Sequence, residues 1–229
     1  MYLKPSVEYK HISEWLLGLV GQHVSLRAFV RGMGRHLNRL HPVRVKLYIG
    51  DESSLDPGEF TIGAEYDPNL DEQGRKQFII NFIVNHPKFT PWEITQDRAE
   101  RMVLELVETL VHEYEHQQQY RARKFRLHRQ KYVSQHEDPK IREQQEYLGD
   151  PDEISAYAAN IAARYHVRTY ELKESCTIGC SDLEQYYKAF DLGHEVIVKL
   201  LNKIDENIKY LKEHDDGKNH RRRHRRSGN

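Results

Sequence analysis

The stretch Leu106 to Tyr120, LVETLVHEYEHQQQY, constrains this chain more than any other. His112, Glu113 and His116 form an H-E-x-x-H pattern. On a helix, residues four apart share a face, so two imidazoles can be aimed at one metal ion. Glu113 follows the first histidine directly and would lie beside the open coordination position, where it could take a proton from an attacking water. With 14 histidines in 229 residues the pattern can arise by chance, so its setting matters. Val103, Leu106, Val107, Leu110 and Val111 precede it at three- and four-residue spacing, the apolar stripe of a core helix. A core helix holds its side chains rigidly, and that favours a zinc hydrolase site over two solvated histidines.

The elements around this helix read as α+β. Residues 9–40 have helical apolar spacing (Ile12, Trp15, Leu16, Val20; then Leu26, Phe29, Val30, Met33, Leu37), interrupted by glycines and closed by Pro42. Three strands follow: Val43 to Ile49, Glu59 to Tyr66, and the nearly all-apolar Gln77 to Asn85. Asn81 and Asn85 are the polar exceptions in the last run; a turn or edge role is the preferred reading for both, and the alternative is that Asn81 contacts a peptide substrate's backbone. Thr90-Pro91-Trp92-Glu93 reads as the start of the motif helix, which runs to about Arg123.

A second informative stretch begins at Gly149. Gly149 can end one helix, Asp150 can cap the next, and Pro151 suits its first turn. Alanines 156, 158, 159, 162 and 163 make that helix thin. Glu153 is either the acidic partner of an Asp150 capping box or a metal ligand, and the upstream motif favours the ligand. Ser181 to Leu211 closes the fold, with Ser181 and Glu184 as a further capping box, Gly193 as a break, and an apolar stripe from Ile197 to Leu211. The end is basic and has nothing apolar to bury; Arg221 to Arg226 could bind nucleic-acid phosphates. The chain thus divides into an N-terminal helical layer (1–42), a catalytic core (43–170), a C-terminal helical segment (171–213) and a basic tail (214–229).

Composition excludes several classes. Formal net charge is zero and mean hydropathy is −0.83, so no global field points to nucleic acid or membrane. No apolar run is long enough for a transmembrane helix, and the N-terminus lacks the apolar stretch of a signal peptide, so a cytoplasmic location is expected. Cys176 and Cys180 are expected as reduced thiols.

Zinc hydrolases use three protein ligands and keep a fourth position for water. The class with a third histidine, H-E-x-x-H-x-x-G-x-x-H, fails here: Gln119 holds the glycine position and Ala122 the last histidine position. The other arrangement takes a glutamate from a following helix, and Glu153 fits it. On these residues the chain resembles the gluzincin branch of the zincin metallopeptidases, which includes thermolysin. It looks most like the compact intracellular gluzincin-like peptidases of bacteria, phages and mobile elements. The likeness covers roughly residues 43 to 165. The N-E-x-x-S-D signature of thermolysin-type enzymes is absent; Asp152-Glu153-Ile154-Ser155-Ala156-Tyr157 stands there instead.

The resemblance implies a zincin-like fold: a small three-stranded sheet, mixed or uniform, on the motif helix, then the Glu helix and C-terminal helices. It also implies one zinc ion on His112, His116 and Glu153, Glu113 as general base, and a peptide or protein substrate. The oxyanion of the reaction needs a further donor. Tyr157 is the first candidate, with Tyr147 and His166 behind it. Two other readings remain: a catalytically silent zinc-binding protein that kept the fold, and a nucleic-acid-associated protein that uses its basic tail.

Overall fold

The computed structural model describes residues 3–50, 55–87, 89–126, 131–179 and 183–214. The fold is α+β, with a small sheet and several helices. It divides into two compact units, Tyr9–Leu127 and Met1–Glu8 with His128–Asn229. These units cut across the 43–170 span expected from the sequence. Arg221 to Arg226, Ser181 and Cys180 lie outside the described residues. Among the described residues no helix is long and apolar enough to cross a membrane.

The glycine-interrupted segment resolves into two helices, α1 (Pro5–Leu17), which belongs to the first unit from Tyr9 onward, and α2 (Leu26–Leu37), joined through a two-residue strand β1 (His23–Val24). Ser25 caps α2 by accepting from the Ala28 N–H. Alternating apolar residues then give β2 (Val43–Ile49) and β3 (Phe60–Tyr66). The turn-rich Pro68 to Gly74 contains a short helix α3 (Pro68–Glu72), capped by Asp67. The apolar run becomes β4 (Phe78–Val84). The sheet order is β2-β4-β3, with β2 parallel and β3 antiparallel to β4. The sheet is therefore mixed, and β4 is apolar because it is central and flanked on both edges.

Phe78, Ile80, Phe82 and Val84 form one face of β4 and are essentially unexposed. Phe82 meets Phe29 of α2, Phe60 of β3 and Trp92, with ring centroids 5.6 to 5.7 Å apart. Contacts of this kind each contribute about 0.5–1.5 kcal/mol beyond burial.

Trp92 also explains a departure from the sequence reading. Thr90 to Glu93 does not start the motif helix. Trp92–Glu93 form a short strand β5 paired with β1, and the Ile94 N–H donates to the Gln22 carbonyl at 3.0 Å. Trp92 and Ile94 are fully buried, so packing overrides a local capping signal. The helix α4 (Gln96–Ala122) begins one step later, with Thr95 accepting from the Arg98 N–H.

The second unit contains α5 (Pro139–Leu148), α6 (Pro151–His166), a π-helical turn (Val167–Glu171), α7 (Glu184–Ala189) and α8 (Glu195–His214). Gly149 ends α5 and Asp150 caps α6 by accepting from the Asp152 N–H, as the sequence indicated. A Cβ at Gly149 would stand 2.5 Å from the Tyr132 ring and 2.7 Å from the Gln145 carbonyl oxygen, so only glycine fits. Ile154, Ala158 and Ile161 of α6 share a core with Ile197, Leu200 and Ile204 of α8. Gly193, at φ +90°, sets the break before α8.

Candidate metal centre

The histidines stand on α4 because its N-terminal half is fixed in the core. Met102, Val103, Leu106, Val107 and Leu110 are 0–2% exposed. This stripe leads directly into the motif, where Glu113 and Gln117 are also buried.

His112 Nε2 and His116 Nε2 face each other at 3.2 Å, with the two rings 78° apart. Two nitrogens bound to one tetrahedral zinc at about 2.0–2.1 Å would be about 3.3 Å apart. The pair therefore has the separation that one ion requires. On its other side, His116 Nδ1 stands 3.0 Å from Gln119 Oε1. An amide oxygen only accepts, so Nδ1 carries the proton and Nε2 presents its lone pair. This is the tautomer a metal needs, and a partner of this kind orients a ligating imidazole. Two such nitrogens could hold a divalent ion of the zinc type.

The far end of the motif helix is tied to α3. Asp71, with its side chain only 5% exposed, accepts from Arg121 at both oxygens: Nε to Oδ2 at 2.8 Å and Nη2 to Oδ1 at 2.7 Å. The Tyr66 hydroxyl donates to Oδ2 at 2.7 Å, and Gln117 Nε2 to the same oxygen at 3.4 Å. Burial by itself would raise the Asp71 carboxyl, but hydrogen bonds from Arg121 and Tyr66 outweigh it and hold the group below its ordinary value. Burial, then the hydrogen bond to Asp71, pushes the Tyr66 phenol far up. Gln117 and Arg121 bracket Gln119, so this cluster fixes the turn that carries His116 and its partner.

Glu153 belongs to the second unit, in the first turn of α6. Tyr157 lies one turn further along, edge-on to Tyr147 and Tyr186, with ring centroids 6.5 and 5.6 Å away. Burial pushes the Tyr147 phenol well above its usual range, helped by the Glu153 charge and by Tyr157. Tyr147 therefore stays protonated as a hydrogen-bond donor beside Glu153, although nearly half of its surface is exposed. His166 is 13 positions beyond Glu153, about 20 Å along the helix axis. It is buried against Tyr170, so it does not share a site with Glu153.

Asn81 lies on the central strand β4. It pairs with Lys46 on β2 and Gly63 on β3, so both main-chain edges of β4 are occupied. Its side chain shares a face with Ile79 and Ile83, opposite the face on which Phe78 stacks on Tyr114 of α4. Among the described residues of this sheet, β2 and β3 form the edges at which an added strand could pair.

Sequence reasoning passed over Gln119 and Asp71. Gln119 was legible, since it lies three residues after His116 on the same helix face. Asp71 carries no local signal, because its partner Arg121 is 50 residues away. Comparison of the chain with protein-family models, with curated proteins and with solved structures found no match.

Proposed function

We propose that this chain is a zinc-dependent peptidase of the gluzincin-like kind, with His112, His116 and Glu153 as zinc ligands and Glu113 as general base. One observation carries the reading. Within an H-E-x-x-H pattern on a core-anchored helix, the two Nε2 atoms stand 3.2 Å apart while Gln119 Oε1 accepts a hydrogen bond from His116 Nδ1. The donor set agrees with it in kind: His112 and His116 each offer an imidazole nitrogen and Glu153 a carboxylate oxygen. Two imidazoles and one carboxylate are the donors of catalytic zinc sites that keep a position for water.

A bound zinc ion supplies Lewis acidity, polarising a carbonyl and making a water more acidic. The chain's own residues do the rest. Glu113, buried one residue beyond His112, takes a proton from the attacking water at its carboxylate and delivers it to the leaving amine. Burial around this carboxylate keeps bulk water from competing for that proton. Tyr157, four residues after Glu153, and Tyr147, six before it, are the phenol donors that flank Glu153 within its unit, and they are the candidates to stabilise the oxyanion.

The test is Glu113→Gln, assayed by elemental analysis for zinc and by mass spectrometry of a diverse peptide mixture. The expected result is wild-type zinc content with hydrolysis lost by at least about a hundredfold. Undiminished hydrolysis would remove Glu113 from the mechanism. Stoichiometric zinc with no turnover in the wild type would favour the silent zinc-binding protein instead.

A further inference from the structure

From Trp15 to Gly50 the chain contains six basic residues (Arg27, Arg31, Arg35, Arg39, Arg44 and Lys46) and no acidic one. Three of the arginines lie on α2 at four-residue spacing, and Arg39 continues the series just past the helix end. At 100° per residue, Arg27, Arg31, Arg35 and Arg39 fall within one 120° sector. The buried residues Leu26, Phe29, Val30, Met33 and Leu37 lie on the opposite side. All four arginines are exposed, as is Arg44 on the neighbouring strand β2.

Among the described residues none of these five arginines forms an ion pair; the salt bridge in this region belongs to Lys46, with Glu65. The acid that α1 brings to α2 is Glu14, whose charge acts on His36, on the other flank of the helix. An amphipathic helix usually mixes both charge signs on its solvent face, because opposite charges four apart stabilise it. Four like charges in succession repel one another instead, and a polyanion relieves that repulsion.

We infer that the exposed arginine face of α2 binds the phosphate backbone of double-stranded nucleic acid. Arg27, Arg31 and Arg35 are about 6 Å apart along the axis and span about 12 Å. Each strand of a duplex presents a phosphate about every 3.4 Å, so the row meets several phosphates on one strand. The guanidinium fork suits phosphate oxygens. Ala28 falls within the sector and Gly32 borders it, so the helix can come close to the backbone, while the Asn38 amide is engaged by the Gly34 and Val43 carbonyls; none of these offers a base-reading group. Contact is therefore independent of sequence. No aromatic ring stands in the row to stack on unpaired bases, which favours a duplex over a single strand. No large apolar side chain stands there to enter a bilayer, which disfavours a lipid surface.

This surface is separate from the proposed metal centre, and its test does not depend on that reading. Binding of the full chain to a random-sequence DNA duplex is measured across a salt series, for the wild type and for Arg27→Gln/Arg31→Gln/Arg35→Gln. Three lost phosphate contacts should reduce the slope of log K against log salt by about 2.7, and weaken binding at least about tenfold at low salt. The corresponding Arg→Lys triple variant should keep most of both. If the glutamine triple fails to fold, Arg27→Gln and Arg35→Gln alone should each reduce the slope by about 0.9. Wild-type affinity and slope in the glutamine variants overturn the proposal. So does a wild type that ignores duplex DNA, or one that binds only vesicles of anionic lipid.

Discussion

His116 has two ring nitrogens with different duties. Nε2 faces His112 and Nδ1 faces Gln119. Without Gln119 the proton is free to move to Nε2, and the ring is free to turn. Gln119→Ala should therefore weaken zinc binding by about 10- to 100-fold, the range found when an orienting partner of a ligating histidine is removed. Competition against a chromophoric chelator measures it. An affinity within twofold of wild type would show that Gln119 does not orient the ring. Because Gln119 is partly exposed, the fold should be unaffected. Residue identity alone placed the two histidines and Glu113 on one helix. It missed Gln119 because that position was compared with a glycine motif instead of with its neighbour one turn back.

At the scale of elements, the Asp71 cluster joins α3, β3 and the end of α4 through one carboxylate. Its folded-state pKa is lowered, so the stability it contributes is present above the unfolded value near 3.8 and is lost as pH falls through the folded value. Asp71→Asn should lower stability at neutral pH by about 1–3 kcal/mol, since charged hydrogen bonds are lost while half-exposed Arg121 turns to water. It should also flatten the acid limb of the stability curve below about pH 4. Urea unfolding at pH 7 and pH 3 measures both. An equal acid loss in wild type and variant would mean that Asp71 is not the titrating group. Clusters of this kind are not legible in a sequence, because two of the three partners of Asp71, Gln117 and Arg121, are distant along the chain. Period and alternation are legible: they gave β2, β3 and β4 nearly to the residue, and the C-terminal end of α4 though not its start. Where a local signal competed with packing, at Thr90 to Glu93, the fully buried Trp92 decided for a strand.

At the scale of the molecule, the proposed donor set takes His112 and His116 from one compact unit and Glu153 from the other. An ion that binds only the folded protein stabilises it by RT ln(1 + [L]/Kd), about 2.7 kcal/mol at a hundred times Kd. Adding zinc should therefore raise the melting temperature of the wild type, and a chelator should reverse the rise. Glu153→Ala leaves two imidazoles, whose weaker binding needs far more zinc for the same shift. His112→Ala should behave alike, although its substitution lies in the other unit. The two variants must shift together if one ion uses both residues. Melting curves over a zinc series, with the metal-free proteins as reference, separate this from a general loss of stability. A Glu153→Ala protein whose response to zinc equals that of the wild type, beside a His112→Ala protein that has lost it, would remove Glu153 from the donor set and leave a site built on α4 alone.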